Sequence, residues 1–263
     1  MVETARVIVD RLGKSYGGMP VLEDVSFSIG AGEFVSLVGP SGCGKSTALE
    51  IVGGLNSPDS GRIEIAGSPI TGPRSQTGII FQEASTLPWR TALNNVALAL
   101  EMRGVGKAER HEAARRALAA VGLSGFERHY PSQLSGGMRQ RVALARALTV
   151  EPDVILADEP FGALDEQTRL VVALELLSVV ERTTASVLFV THSIQEAVLL
   201  SDRVLIMGVR PGRIIDEVRI DIEGPRGPHL IGSRELSEYT DRIWQPLRAE
   251  AQKALEMQGP ARP

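Results

Sequence analysis

The fold of this chain is decided by the stretch Gly39-Pro40-Ser41-Gly42-Cys43-Gly44-Lys45-Ser46-Thr47, which matches the pattern G-x-x-x-x-G-K-[ST] in full. The apolar run 34–38 before it predicts a buried strand, and the run 47–52 after it predicts a helix. This order of strand, loop and helix is the setting that the pattern requires. Backbone N–H groups of such a loop wrap a phosphate, Lys45 lies between the β- and γ-phosphates, and the Ser46 hydroxyl binds Mg²⁺. The stretch therefore predicts a site for a nucleoside triphosphate.

The chain carries a second glycine-containing motif, Leu134-Ser135-Gly136-Gly137-Met138-Arg139-Gln140-Arg141. Gly136 and Gly137 have no Cβ, so a phosphate can approach their backbone closely. The helix predicted from about Met138 would point its unpaired N–H groups at the same place, and Ser135 would add a hydroxyl donor. Because Ser-Gly-Gly is also ordinary turn chemistry, the motif gains its weight from the other motifs of the chain.

Two acidic residues, Asp158 and Glu159, follow the apolar run 154–157. Such a run is typical of a central parallel strand that is covered on both faces. The acids stand at its carboxyl end, where open α/β sheets bind ligands. Since side chains alternate along a strand, the two carboxylates cannot do the same work. A solvated acidic strand end would explain either residue alone, but not both after a phosphate loop.

These motifs together resemble those of the ABC ATPase superfamily, over roughly residues 5–222. The resemblance implies an α/β fold, an ABC-type P-loop ATPase with a RecA-like core, an antiparallel β part and an α-helical subdomain. It implies an ATPase domain at 1–222, with the helical subdomain inserted at about 88–150. Residues 223–263 are then a linker and a C-terminal helical extension. A P-loop kinase would need neither the second motif nor Glu159.

The resemblance also implies roles for residues around the triphosphate. Asp158 would hold Mg²⁺, usually through water, and Glu159 would be the general base that polarises the attacking water. Gln82 would contact both Mg²⁺ and that water, and His192 would contact the γ-phosphate. A lone Gln or His at a strand end is most often a surface or turn residue. The order of Gln82 and His192 among the other motifs is what favours their functional roles.

Three further residues carry more than one interpretation. Asp165 matches the family's D-loop, which crosses the dimer interface, and it also suits the N-cap of the next helix. Tyr16 corresponds to the family's adenine-stacking aromatic residue, and such stacking tolerates other bases, including guanine. Cys43 lies beside Lys45 at a helix N-terminus, which favours a thiolate, although it could also be a small loop filler.

Residues 91–148 read as helical, with one apolar face formed by Ala113, Ala117, Ala120 and Val121. Residues 233–257 also show near-helical spacing of apolar side chains, and Pro246 predicts a break or a restart of that helix. We interpret this segment as a helix packed on the core or on a partner.

The composition bounds the function. The 263 residues are 43% hydrophobic and 23% charged, which is typical of a globular chain with a sizeable core. The net charge is −4, and no basic stripe interrupts the acidic sequence. Both observations argue against a nucleic-acid partner. One cysteine permits no internal disulfide and fits a reducing compartment. The apolar runs are too short to cross a membrane, so a transport pore would belong to another chain.

Within the superfamily, three segments resemble the ATPase subunits of nitrate, sulfonate, taurine and bicarbonate importers: residues 87–96, 161–169 and 191–197. In this superfamily the coupling helix of a permease docks on the loop after Gln82. Trp89 would offer an aromatic anchor for that contact. Alternatively, Trp89 is a core residue of the helical subdomain.

The resemblance implies an ATPase at the cytoplasmic face of the membrane that pairs head to tail with a second copy of itself. Each ATP would lie between Lys45 and Ser46 of one copy and Ser135 to Gly137 of the other. Closure and hydrolysis would drive separate permease subunits that are supplied by a substrate-binding protein. The alternative is an ABC ATPase without transport, acting as a scaffold or assembly motor.

Overall fold

The fold is given by a computed structural model that describes residues 5–162 and 164–258, with side chains up to residue 253. Ala163 and the outermost residues of both predicted domains lie outside the described residues. The chain forms two compact units, unit 1 with Met1–Arg74 and Ser186–Pro263, and unit 2 with Ser75–Ala185. The domain boundaries drawn from the sequence stay predictions.

The strands, in chain order, are β1 (Ala5–Tyr16), β2 (Met19–Gly30), β3 (Phe34–Val38), β4 (Ser60–Ile65), β5 (Ser68–Pro69), β6 (Thr77–Ile80), β7 (Val154–Asp158), β8 (Ser186–Thr191), β9 (Arg203–Met207) and β10 (Ile214–Arg219). The helices are α1 (Lys45–Val52), α2 (Ala92–Val96), α3 (Leu98–Met102), α4 (Lys107–Ala120), α5 (Gly136–Leu148), α6 (Glu166–Val180), α7 (Ile194–Leu200) and α8 (Arg234–Gln258).

Unit 1 contains the predicted antiparallel β part, with strand order β2-β1-β4-β5. Val9 of β1 stands opposite Phe27 of β2 and Ile63 of β4. The same unit contains β3, which is buried along its whole length and pairs in parallel with β8 and β9. Burial on both faces explains why its sequence is a continuous apolar run instead of an alternating one. Antiparallel β10 follows β9 at the edge.

Helix α8 packs its apolar residues into one buried cluster with α7, β9 and β10. The residues that α8 contributes are Leu236, Ile243 and Leu247. The break predicted at Pro246 is wrong, because α8 runs through that residue. The proline removes one helical hydrogen bond. Ile243 and Leu247 are buried on either side of it, and their burial holds the helix in place.

Unit 2 contains the parallel pair β6 and β7, in which Ile80 stands opposite Ala157. Helix α5 packs on β6, α2, α4 and α6. The helical character predicted for residues 91–148 is confirmed by α2 to α5. The predicted apolar face of α4 is wrong in part, since Ala120 is exposed while Ala114 and Leu118 are buried. Their spacing of four residues places both on one side of the helix, and burial of Leu118 removes more apolar area than burial of an alanine.

Candidate functional site

The phosphate loop, residues 39–47, lies in unit 1 between β3 and α1. Gly44 is the N-cap of α1 with φ of 104°, a backbone conformation that favours glycine. A Cβ on Gly44 would lie 2.6 Å from Cδ2 of Leu22, and one on Gly39 would lie 2.7 Å from the carbonyl oxygen of Met207. The loop is therefore packed tightly from behind, and these two positions admit no side chain without displacement.

Lys45 is buried although it is charged, with 6% of its surface exposed. Its ammonium donates hydrogen bonds to the carbonyl oxygens of Gly39 at 2.9 Å and Pro40 at 3.1 Å. Those bonds compensate part of the cost of burying the charge. The loop backbone thus fixes one positive charge inside the predicted phosphate cradle.

Of the two interpretations of Cys43, the structure supports the small loop filler. Its side chain is 1% exposed, and its Sγ atom lies 4.0 Å from the Lys45 ammonium. Burial raises the pKa of the thiol, and the nearby charge of Lys45 opposes that rise only in part. The expectation of a thiolate is wrong because desolvation disfavours the charged form more strongly than Lys45 favours it. Cys43 fills space in the loop.

His192 directly follows β8, and its neighbour in the sheet leads into the phosphate loop. In the parallel register of β3 and β8, Val38 stands opposite Thr191. Gly39 and His192 therefore leave adjacent strands at the same edge. Ser193 is the N-cap of α7, and its hydroxyl oxygen accepts a hydrogen bond from the backbone nitrogen of Glu196 at 3.3 Å. The Glu196 carboxylate accepts a hydrogen bond from the hydroxyl of Thr191 at 2.6 Å.

Tyr16 ends β1 in unit 1 and is 44% exposed, as a residue that stacks on a ligand must be. The Lys14 ammonium lies 5.4 Å from the centroid of the ring, within the range of a cation–π contact. The amide of Asn56 donates to the phenolic oxygen of Tyr16. The sequence pattern gave no sign of either contact, and both restrict the orientation of the ring.

The side chains of Gln82 and Glu159 both lie near Gly162 in unit 2. Glu159 comes directly after β7, and Gln82 comes two residues after Ile80, the end of β6. The side-chain nitrogen of Gln82 and Oε2 of Glu159 lie 3.7 and 3.8 Å from the point that a Cβ on Gly162 would occupy. Glu159 has φ of 41°, a sparsely populated conformation for a residue other than glycine. Such backbone geometry is concentrated at functional sites.

Helix α5 begins at Gly136, two residues earlier than the sequence predicted, and Ser135 is its N-cap. The Ser135 hydroxyl oxygen accepts from the backbone of Met138 at 3.2 Å, which leaves its own proton available for donation. A Cβ on Gly137 would lie 2.8 Å from Cγ2 of Thr168, whereas one on Gly136 would meet only a guanidinium nitrogen at 3.9 Å. The two glycines therefore differ, since Gly137 allows α5 to pack on α6 and Gly136 faces open space.

Two residues of α5 whose contacts the sequence reasoning missed bind the loop between Phe81 and Ser85, which contains Gln82. Gln140 is buried and donates to the carbonyl oxygen of Phe81 at 3.3 Å. Arg146 donates to the carbonyl oxygens of Ala84 at 3.2 Å and Ser85 at 2.8 Å. Because the acceptors are backbone atoms, no pattern of residue types could have indicated these pairs.

Two more residues with a double interpretation lie in unit 2. Asp165 is the N-cap of α6, where its carboxylate accepts from the backbone of Thr168 at 3.0 Å, and this hydrogen bonding lowers its pKa. The D-loop role of Asp165 stays a prediction. Trp89 is 71% exposed, so its interpretation as a core residue is wrong. Asp158 is half-buried at the end of β7.

The described residues hold no group of three or more His, Cys, Asp or Glu side chains that could form a metal site on their own. Mg²⁺ is held in nucleotide enzymes by one or two protein ligands and substrate phosphates instead of an all-protein cage. The donors proposed from the sequence, Ser46, Gln82 and Asp158, all supply oxygen atoms, which fits that ion. None of the helices in the described part of the chain has the length and apolar character to cross a bilayer.

Comparison with known proteins defines the class. Residues 22–162 match the model of the ABC transporter family. The chain belongs to that family and is one of its ATP-binding, ATP-hydrolysing members.

Individual relatives are similar over most of their length. An uncharacterized ABC transporter ATP-binding protein of Methanocaldococcus jannaschii is 46% identical over 235 residues, which cover 89% of this chain and 87% of that protein. The taurine import ATP-binding protein TauB of Burkholderia pseudomallei is 47% identical over 205 residues, or 78% of this chain and 79% of that protein.

A solved structure confirms the predicted ABC-type fold. The ATP-binding cassette MJ0796, in a dimeric post-hydrolysis state bound to ADP and Pi, has a TM-score of 0.73 and 34% identity. The alignment covers 82% of this chain and 99% of that one.

Proposed function

We propose that this chain is the ATP-hydrolysing subunit of an importer that takes up a small anion such as nitrate, sulfonate, taurine or bicarbonate through separate permease subunits. The similarity to the taurine import ATP-binding protein TauB supports the importer class. Residues 87–96 and 191–197 resemble the corresponding segments of such ATPases and support the subfamily. The chain would act at the cytoplasmic face of the membrane, on permeases supplied by a substrate-binding protein.

The observation that carries the chemistry is the convergence of Gln82 and Glu159 beside Gly162. Glu159 takes the proton of the attacking water, and Gln82 orients that water towards the γ-phosphate. Positioned proton transfer of this kind accelerates a reaction by roughly 10²–10⁴. The backbone of Glu159 adopts a sparsely populated conformation, and such geometry is concentrated at functional sites.

The phosphate loop binds the triphosphate. Its backbone N–H groups and the Lys45 ammonium stabilise the charge that spreads over the γ-phosphate oxygens during transfer. Ser46 and Asp158 are proposed to hold Mg²⁺, Asp158 through water, and Gln82 to contact it. The ion, when bound, neutralises charge on the β- and γ-phosphates.

Two residues of unit 1 complete the proposed nucleotide contacts. His192 leaves the sheet beside the phosphate loop, which supports the proposal that it contacts the γ-phosphate. Tyr16 stacks on the adenine, and because every base has a π-face this contact alone does not exclude GTP.

We further propose that two copies bind two ATP molecules between them, head to tail. The N-terminus of α5, with Ser135, Gly136 and Gly137, then contacts the nucleotide of the second copy, since a helix N-terminus favours an anion. Asp165 lies at the interface between the copies. The dimeric state of the solved cassette bound to ADP and Pi supports this arrangement. Trp89 is the proposed aromatic anchor for the permease.

Replacing Glu159 with glutamine tests the chemistry. Glu159→Gln keeps the size of the side chain but removes its basicity, so ATP hydrolysis should fall by roughly 10²–10⁴. ATP binding should survive, and ATP should now convert the variant to a dimer in size-exclusion chromatography. Glu166→Gln, an exposed change in the first turn of α6, is the matched control. Turnover of Glu159→Gln within about threefold of the wild type would refute the assignment.

Transport is tested in the cell. A strain that lacks the gene should lose growth on one anion as its sole nitrogen or sulfur source, and the wild-type chain should co-purify with membrane subunits. Normal growth on every such source, with no membrane partner, would favour a scaffold or assembly motor.

A further inference from the structure

A buried carboxylate on α8 has no part in the function proposed above. Glu250 is 6% exposed, and it lies beyond roughly residues 5–222, over which the motifs resemble the ABC superfamily. Its carboxylate accepts hydrogen bonds from the backbone nitrogen of Val209 at 2.8 Å and from the ammonium of Lys253 at 2.6 Å. A buried carboxylate needs such donors, because an unpaired charge out of water is costly.

Val209 belongs to the β9–β10 turn, residues 208–213, and Glu250 holds this turn from outside. Oε2 of Glu250 lies 2.8 Å from the point that a Cβ on Gly208 would occupy, so the carboxylate lies directly against the turn backbone. The turn is closed by a hydrogen bond from the nitrogen of Gly208 to the oxygen of Arg213, at 2.9 Å. A bond to one residue of the turn therefore restrains all of it.

The same turn supports the phosphate loop. Gly212 is packed so closely against the carbonyl oxygen of Cys43 that a Cβ would overlap it. The nitrogen of Gly212 donates to the oxygen of Val21 at 2.8 Å. At the other end of the loop, a Cβ on Gly39 would lie 2.7 Å from the carbonyl oxygen of Met207, the last residue of β9. The turn and the end of β9 are therefore packed directly against the phosphate loop.

The charges agree with this arrangement. Burial is the main cause that raises the pKa of Cys43, and the carboxylate of Glu250 adds to that rise. The carboxylate of Glu250, which lies against the turn at Gly208, is thus part of the electrostatic surroundings of Cys43.

We propose that Glu250 is a positioning residue for the phosphate loop, acting through Val209 and the β9–β10 turn to keep the loop in the shape that binds the triphosphate. The proposal rests on the role of the loop in binding ATP. Helix α8 is then part of the support of the nucleotide site. Since coupling free energies are reciprocal, bound nucleotide strengthens the docking of α8 to the same extent that docked α8 strengthens nucleotide binding.

The test compares Glu250→Ala and Glu250→Gln with Glu235→Ala, which removes the same side chain at an exposed position in the first turn of α8. Glu250→Ala removes the acceptor of the Val209 bond and should raise the Kd and KM for MgATP by about tenfold, a typical coupling, with kcat at saturating ATP within about twofold. Glu250→Gln keeps an acceptor oxygen and should recover most of the affinity. Glu235→Ala should bind MgATP as the wild type does. A lowered melting temperature of Glu250→Ala with unchanged Kd would overturn the proposal and leave Glu250 a residue that only fastens α8.

Two further measurements keep the result interpretable. Lys45→Ala tests the loop itself, and if it binds MgATP as the wild type does, the proposed nucleotide site is wrong independently of Glu250. Glu250→Gln removes a negative charge near Cys43, so the pH profile of Cys43 alkylation by iodoacetamide should move to lower pH. An unchanged profile would show that the carboxylate does not act on the loop, even if Glu250→Ala fails to fold.

Discussion

Gly137→Ala should lower the unfolding free energy, whereas Gly136→Ala should leave it unchanged and lower ATP hydrolysis. The effects differ because the two new side chains would point into different surroundings. At Gly137 the new Cβ would lie 2.8 Å from Cγ2 of Thr168, roughly 1 Å inside the optimal separation of about 3.5–4.0 Å between carbon atoms. Thr168 is β-branched and short, so its methyl group cannot swing away freely. Helices α5 and α6 must separate slightly, and overpacking of this kind costs about 1–3 kcal/mol of unfolding free energy.

At Gly136 the nearest atom to a new Cβ would be the Arg139 guanidinium nitrogen at 3.9 Å, which is an ordinary contact. The unfolding free energy of Gly136→Ala should therefore stay within about 0.5 kcal/mol of the wild type. Its Cβ would instead stand where we place the phosphate of the second copy. If one hydrogen bond to a charged group is lost, worth about 1.5–3 kcal/mol, ATP hydrolysis should fall by at least about tenfold.

The assay is urea unfolding followed by circular dichroism, together with ATPase rates of the isolated chain. Thr168→Ser removes the methyl group that Gly137→Ala would meet, so the double variant should regain most of the lost stability, as a double-mutant cycle measures directly. Stability of Gly137→Ala equal to that of the wild type, or no recovery in the double variant, would refute the packing argument. Normal ATP hydrolysis by Gly136→Ala would refute the phosphate contact.

Further outcomes are expected at three residues. Trp89→Ala should leave the melting temperature and ATPase rate unchanged, because the ring is 71% exposed. The variant should bind membrane subunits more weakly by about 2 kcal/mol or more, measured by co-purification. Intact co-purification would contradict the proposed anchor. Iodoacetamide should label Cys43 slowly at about pH 8, and at least roughly tenfold faster after unfolding in urea. Because burial raises the folded-state pKa of Cys43 above its unfolded-state value, the contribution of the thiol to stability is complete below the unfolded-state pKa and is lost as the pH rises through the raised pKa. Cys43→Ala should lack this loss in urea titrations. Tyr16→Phe should keep ATP affinity, and Tyr16→Ala should lose about 1–3 kcal/mol by nucleotide titration, whereas equal affinity of both would remove Tyr16 from the base site.

The parts of the site that the sequence predicted are those with local causes. The phosphate loop, the N-cap at Asp165 and the buried strand before Asp158 each follow from residues within a few positions of one another. Pro246 shows where local reasoning fails, since burial of α8 in the core outweighs the preference of proline for a helix end. The expected thiolate at Cys43 is wrong for a related reason, because the desolvation that raises its pKa depends on residues that are distant in the chain.

Contacts made through backbone atoms were beyond prediction altogether. Glu250 accepts from the nitrogen of Val209, which lies 41 positions away, and Gln140 donates to the carbonyl oxygen of Phe81, which lies 59 positions away. Every residue except proline carries the same backbone donor and acceptor, so the partner residues leave no mark in the sequence.

The backbone carbonyl oxygens of Phe81, Ala84 and Ser85 accept hydrogen bonds from Gln140 and Arg146 of α5. Substitutions in the loop between Phe81 and Ser85 can therefore alter the surface that we propose to contact a permease while these bonds persist, because any amino acid provides the same acceptors. Substitutions at Gln140 or Arg146 remove the donors instead. If this loop is the permease contact, its side chains can change with the membrane partner while the ATPase that carries it stays the same.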